Sequence, residues 1–134
     1  MSGKRLSEGT VLIVDDEPAL TRSAARLLRS MGFEVYLAAG GREAIGICLA
    51  HGAEIDVVLL DLVLQEMTSV ETLRQIRSLH PGMKVILTSG YGRQEFVDSF
   101  EGMRLDGFIE KPFGYVELER AVRAALNPRG KPGD

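Results

Sequence analysis

Five times along the chain a short run of apolar, β-branched residues is followed by a longer stretch whose apolar residues recur at helical spacing. The runs are Thr10–Val14, Phe33–Ala38, Val57–Leu60, Lys84–Leu87 and Gly107–Ile109. The spacing predicts helices over Pro18 to Met31, Gly41 to His51, Ser69 to Leu79, Gln94 to Met103 and Tyr115 to Leu126. In the first of these, Leu20, Ala24, Leu27, Leu28 and Met31 share a face that excludes Arg22, Arg26 and Arg29. The punctuation agrees. Pro18 opens the first helix behind Asp16-Glu17, Gly32 and Gly52 are the expected closures of the first and second, and Pro81 and Pro128 end the third and fifth.

Strand and helix in strict alternation mean an α/β domain built on a parallel sheet. Val11–Val14 and Val57–Leu60 are apolar at every position, as central strands covered on both faces must be. The expected organisation is one domain over residues 10–126, with an N-terminal extension at 1–9 and a tail or linker, rich in Pro, Gly and charge, at 127–134. The chain has 134 residues, 45% of them apolar and 26% charged, enough for a core of its own.

Several classes of function drop out at this point. The net charge of -3 lacks the Lys/Arg excess of a nucleic-acid-binding domain, so no direct nucleic-acid contact is expected. No apolar run approaches the roughly 20 residues needed to cross a bilayer, and no apolar stretch behind Met1 to Thr10 suggests a signal peptide. A cytoplasmic location is expected. The single cysteine, Cys48, reads as a small core residue on a helix, since no basic neighbour is evident to activate it.

In open α/β sheets the working site lies at the carboxyl ends of the strands. Asp15 and Asp16 follow the first apolar run and Asp61 follows the third. Three carboxylates brought together repel one another unless a cation sits among them, and a hard, oxygen-seeking ion such as Mg2+ suits the set. The fourth run leads into Thr88-Ser89-Gly90 and the fifth into Glu110-Lys111-Pro112, adding a hydroxyl and an ammonium at the same rim. Acids, hydroxyl and lysine on one face make a phosphoryl-transfer site in which a carboxylate can serve as nucleophile.

With these residues in view the sequence resembles the receiver domain of response regulators, from about Thr10 to Leu126. The matching pieces are Val-Leu-Ile-Val-Asp15-Asp16-Glu17-Pro18, Val-Val-Leu-Leu-Asp61-Leu, Ile-Leu-Thr-Ser89-Gly90-Tyr91 and Glu110-Lys111-Pro112-Phe113. The resemblance implies a flavodoxin-like, doubly wound five-stranded parallel sheet of order 2-1-3-4-5 with five flanking helices. It implies that Asp61 accepts a phosphoryl group from the phosphohistidine of a sensor histidine kinase or histidine phosphotransfer protein. Asp16 and Asp61 would hold Mg2+ through carboxylates, Asp15 through water and Val63 through its backbone carbonyl. Lys111 would pair with Asp61 and then with the phosphoryl oxygens, and the Lys111–Pro112 bond is expected to be cis. Ser89 would be the switch hydroxyl, with Thr88 on the other side of the strand, and Phe108 the switch aromatic, acting through packing alone. The implied output is a change in the face formed by the fourth helix, fifth strand and fifth helix. The resemblance admits a homodimer formed on phosphorylation, and the Ser-Gly-Tyr and Lys-Pro-Phe wording leans toward receivers attached to hybrid sensor kinases.

The chain departs from the family in one place. After Asp61 the usual Met-Pro-x-x-x-Gly turn reads Leu64-Gln65-Glu66-Met67-Thr68-Ser69. Loss of the proline predicts a looser loop, and Ser69 costs about 1 kcal/mol if it must take positive φ. Three rival readings remain to be weighed. A docking module that never takes phosphate is favoured only by this loop. An aspartate-nucleophile phosphohydrolase needs a second acid two residues after the nucleophile, where Val63 stands. A flavin module needs a Ser/Thr/Gly-rich phosphate loop after the first strand, which is lacking. The histidines, His51 at a helix end and His80 in a turn, carry no expected chemistry, and Tyr91 and Arg93 beside Ser89 are as readily surface residues as guards of the site.

Overall fold

The wholly apolar segments take the middle of a five-stranded parallel sheet of order β2-β1-β3-β4-β5. A computed structural model describes residues 7–90 and 98–127. The strands are β1 (Gly9–Val14), β2 (Phe33–Ala38), β3 (Val57–Asp61), β4 (Lys84–Ser89) and β5 (Gly107–Glu110). Every residue of β3 is buried, while β2 at the edge is buried only at its two ends. The helices are α1 (Pro18–Ser30), α2 (Gly41–His51), α3 (Ser69–Leu79) and a C-terminal helix, Tyr115–Leu126.

Alternation along the strands sorts the core into two layers. Leu12, Val14, Val58, Leu60, Val85 and Leu87 face α2 and α3, meeting Ala44, Cys48, Leu73 and Ile76. Val11, Ile13, Val57, Leu59 and Ile86 face α1 and the C-terminal helix, meeting Ala24, Leu28, Leu118 and Val122. Both faces are thereby covered, the reason those strands tolerate no polar residue until their ends. Cys48 is fully buried, and burial pushes its thiol pKa up, in keeping with a core role.

Local sequence accounts for most boundaries. Pro18 opens α1 after Glu17, whose side chain makes no cap bond. Gly32 follows the end of α1 with φ of 100°, a conformation that glycine alone adopts freely, and its N–H reaches the Arg29 carbonyl. Thr68 caps α3 by accepting from the Glu71 N–H at 3.1 Å. Glu117 reaches back to the Gly114 N–H at 3.0 Å and fixes the start of the C-terminal helix. Gly52 caps α2 as expected, its N–H reaching the Cys48 carbonyl. Its φ of -55° is helical, and the chain runs on through a 3-10 turn at Gly52–Glu54 before β3. A side chain there would strike the His80 ring, which sits with Nε2 3.1 Å from the Cys48 carbonyl.

The fourth predicted helix needs correction. Residues 94–97 of its span, with Tyr91 and Arg93, lie outside the described residues. The remainder is no α-helix. Asp98–Phe100 is a single 3-10 turn with i to i+3 bonds, Glu101 N–H to Asp98 and Met103 N–H to Phe100, and Gly102 at φ of 84° ends it. Phe100 is buried in the core here, and Met103 and Leu105 pack against the same cluster.

Gly41 marks the closest approach of α2 to α3. A Cβ there would collide with Thr72 Oγ1 and lie 2.9 Å from Met67 Sδ. Thr72 cannot swing aside cheaply, because its hydroxyl donates to the Thr68 carbonyl at 2.8 Å and it is fully buried. Gly41→Ala should therefore cost about 1–3 kcal/mol, read as a lower denaturant midpoint with an unchanged m-value.

Candidate functional site

Each central strand runs out of apolar residues at the same rim. β1 delivers Asp15, which turns toward β2 by donating its N–H to the Ala38 carbonyl at 3.1 Å. Asp15 Oδ1 then accepts the Glu17 N–H at 2.9 Å, fixing the carboxylate over the entry to α1. β3 delivers Asp61, paired in register with Thr88 of β4. β5 delivers Lys111, whose N–H donates to the Ser89 carbonyl at 2.7 Å. Backbone bonds to neighbouring strands thus fix the strand ends from which these side chains meet.

The result is a tight charge cluster. One carboxylate oxygen from each of Asp15, Asp16 and Asp61 lies within 4.8 Å of the others. Lys111 Nζ sits 2.9 Å from Asp15 Oδ2, 3.2 Å from Asp61 Oδ2 and 4.0 Å from Glu17 Oε1. Asp15 and Asp61 are buried, and Asp16 is half-exposed. Burial, then the neighbouring Asp15 charge, raises the Asp61 pKa, against the pull of Lys111 and of the Val63 N–H that donates to its Oδ1. Burial works against the Lys111 ammonium, but the hydrogen bond to Asp15 and the charges of Asp61 and Asp15 outweigh it, so its pKa is raised. Among the described residues three acids share a single ammonium here, which leaves negative charge to be met by a cation. Clustered carboxylate oxygens are the donors a hard divalent ion takes, so the residues fit Mg2+. A cleft of about 200 Å3, lined by Asp15, Asp16, Thr21, Leu37 and Glu43 among others, adjoins the cluster.

The remaining predicted residues fall around this centre. Ser89 and Thr88 are both buried at the end of β4, Thr88 opposite Asp61 and Ser89 one step further along, opposite Glu110. Strand alternation sends their side chains to opposite faces. Phe108, on β5, is paired with Leu87 and packs against the core layer of α2 and α3. Val63 is half-exposed directly after the acceptor strand. The Lys111–Pro112 peptide bond is cis, as expected.

The loop after Asp61 is a correction. No described non-glycine residue has positive φ, so the backbone penalty foreseen at Ser69 does not arise. Ser69 opens α3, is buried, and donates its hydroxyl to the Asp61 carbonyl. Leu64 tucks into the core, and Glu66 meets Arg42 at 3.9 Å on the surface. Sequence reasoning missed Ser69 as a partner of the acceptor, and Glu17 as a neighbour of Lys111. The one available signal was the hydroxyl standing where the family pattern has glycine. The histidines have structural partners: His51 stacks on Tyr36 with centroids 5.0 Å apart, and His80 holds the Cys48 carbonyl.

Comparison with known proteins decides the family. The sequence profile of the response regulator receiver domain matches residues 11–123. The chain belongs to that family. It is a receiver domain of two-component signalling. The sensor kinase CckA of Brucella abortus is 38% identical over 117 residues, which are 87% of this chain and 12% of that protein. The probable transcriptional regulatory protein TcrX of Mycobacterium tuberculosis is 35% identical over 123 residues, 90% of this chain and 51% of that protein. This receiver therefore spans about half or less of the length of these relatives. Among solved structures, a receiver domain protein from Methanospirillum hungatei superimposes with a TM-score of 0.83 at 29% identity, over 92% of this chain and 97% of that one. The response regulator TrrA of Thermotoga maritima, solved in complex with Mg2+-BeF, superimposes with a TM-score of 0.76 at 27% identity, over 88% of this chain and 99% of that one. Among the described residues no helix is long and apolar enough to cross a membrane.

Proposed function

We propose that Asp61 is the phosphoryl acceptor of this receiver, taking the group from the phosphohistidine of a sensor histidine kinase or histidine phosphotransfer protein. The observation that carries the reading is the position of Asp61, a buried carboxylate with Lys111 Nζ at 3.2 Å and two further carboxylates close by. Mg2+ would be held by Asp16 and Asp61 directly, by Asp15 through water and by the Val63 carbonyl. When bound it supplies positive charge that cancels the repulsion of the acids and of the incoming phosphoryl oxygens.

The rest follows from the protein's own groups. The Asp61 carboxylate attacks the phosphorus in line, a new P–O bond forms as the P–N bond to the histidine breaks, and the electron pair leaves with the imidazole. Lys111 spreads the charge gathering on the phosphoryl oxygens. Ser89 then donates to the phosphoryl group by a charge-assisted hydrogen bond. Phe108 turns inward and repacks, and the face of the fifth strand and C-terminal helix changes population. The domain acts as a switch with intrinsic self-dephosphorylation, not as a turnover enzyme, since Val63 stands where a phosphohydrolase keeps its acid. We assign the receiver to residues 10–126, between an extension at 1–9 and a linker at 127–134, in a cytoplasmic protein. Likeness to the sensor kinase CckA supports a place within a hybrid kinase, and phosphorylation is the step at which a homodimer would form.

The test is intact-protein mass after incubation with a small-molecule phosphodonor. One added phosphoryl group that appears with Mg2+ and is lost with EDTA is expected. No mass gain in protein shown to be folded and Mg2+-bound would sink the assignment.

A further inference from the structure

The peptide that joins Asp61 to Leu62 is held at both polar atoms. Its N–H, from Leu62, donates to the Thr88 carbonyl of β4 at 2.8 Å. Its carbonyl, from Asp61, accepts the Ser69 hydroxyl. The pairing of β3 with β1 stops at Leu60, whereas pairing with β4 runs on to Asp61. Ser69 thus supplies a partner just where the β1 side of the ladder has ended.

Ser69 is itself well placed to act as a fixed point. It is the first residue of α3, is 3% exposed, and follows a helix start locked by Thr68, which caps Glu71 and accepts from the Thr72 hydroxyl. The rigid α3 N-terminus is therefore bolted through one hydroxyl to the backbone of the residue whose carboxylate lies among the acids. A displacement of that peptide would carry along the Asp61 side chain and the adjoining Val63 peptide, whose N–H touches Asp61 Oδ1 at 3.3 Å. A hydroxyl at this point is a chemical addition that glycine, the residue of the family pattern, cannot make.

We propose that Ser69 is a positioning residue for phosphoryl transfer, holding the Asp61–Leu62 peptide so that the acceptor carboxylate and the Val63 backbone keep their places. The proposal rests on Asp61 being the acceptor. Outer partners that orient ligands and nucleophiles typically change metal affinity or activity by about tenfold or more when removed.

Three variants of the whole chain test it: Ser69→Ala, Ser69→Gly and Ser69→Thr. The readouts are the Mg2+ dissociation constant by calorimetry, the rate of phosphoryl uptake from a small-molecule donor, and thermal stability. Ser69→Ala and Ser69→Gly, which both lack the hydroxyl, should bind Mg2+ about tenfold more weakly and take up phosphoryl about tenfold more slowly. Ser69→Thr keeps the donor and should restore both toward the parent values. If Ser69→Ala and Ser69→Gly lose only thermal stability while Mg2+ affinity and uptake per folded molecule are unchanged, Ser69 is structural and the proposal is overturned. Equal loss in Ser69→Thr overturns it too. Should Ser69→Ala fail to fold, Ser69→Gly decides alone, since it leaves no methyl against the carbonyl. A parent protein that binds Mg2+ but takes no phosphoryl would defeat the acceptor assignment instead, and Mg2+ affinity would still report on Ser69.

Discussion

Asp61→Asn is expected to end phosphoryl uptake completely and, in EDTA at neutral pH, to make the protein more stable than its parent. The first effect follows from chemistry, because a carboxamide cannot form the acyl phosphate. The second follows from electrostatics. Asp61 is buried beside Asp15, and its pKa is raised above the ordinary 3.8. The folded protein therefore keeps a proton on this group to higher pH than the unfolded chain does. Its contribution favours folding in acid and is lost as pH rises through the folded value, leaving a charged carboxylate that opposes folding. Asparagine removes that charge with little change in shape. The gain should show as a higher melting temperature for the variant than for the parent. The gain should vanish in acid, where the parent carboxyl is neutral, and shrink on adding Mg2+, which stabilises the parent by mass action. Melting curves at several pH values, with and without Mg2+, check this, and a variant less stable than the parent in EDTA would contradict it.

Lys111→Ala should act in the opposite sense on stability and in the same sense on function. The ammonium is within 3.2 Å of two buried carboxylates, and its own side chain is 14% exposed. Removing it strands Asp15 and Asp61 with no cation, at a cost of about 2 kcal/mol. Because its pKa is raised above the ordinary 10.5, its contribution is full below that value and fades as pH climbs through the folded one. The destabilisation of Lys111→Ala should therefore be constant across neutral pH and should narrow in strong alkali. Phosphoryl uptake should fall by about 10²-fold, as when a single electrostatic stabiliser of a transition state is deleted. Time courses of mass gain alongside denaturant titrations separate the two losses. Uptake at the parent rate would remove Lys111 from the proposed chemistry.

Where sequence reading went furthest, the signals were local and repeated. Strands and helices could be bounded within a residue or two because apolar runs change period at Gly, Pro and acidic residues, and each such change is a backbone requirement written into one or two positions. The chemistry of the rim was legible for the same reason. Asp15, Asp16, Asp61 and Lys111 each follow an apolar strand, and parallel strands must end on one side. At the end of the fourth predicted helix, among the described residues, a 3-10 turn at Asp98–Phe100 replaces the expected α-helix, because helical spacing alone does not distinguish the two.

What the chain order determined, then, was the α/β class, the central strands and the set of groups brought to their carboxyl ends. Tertiary structure decided how those groups are shared. Lys111 lies nearer to Asp15 than to Asp61, Gly41 must be glycine because Thr72 and Met67 lie against it, and Ser69 reaches the Asp61 carbonyl across eight residues. Each is a distance between residues not adjacent in sequence, set by how the strands align and how α2 and α3 pack on the sheet. Hydrophobic patterning records which face is buried, but not which atoms meet there.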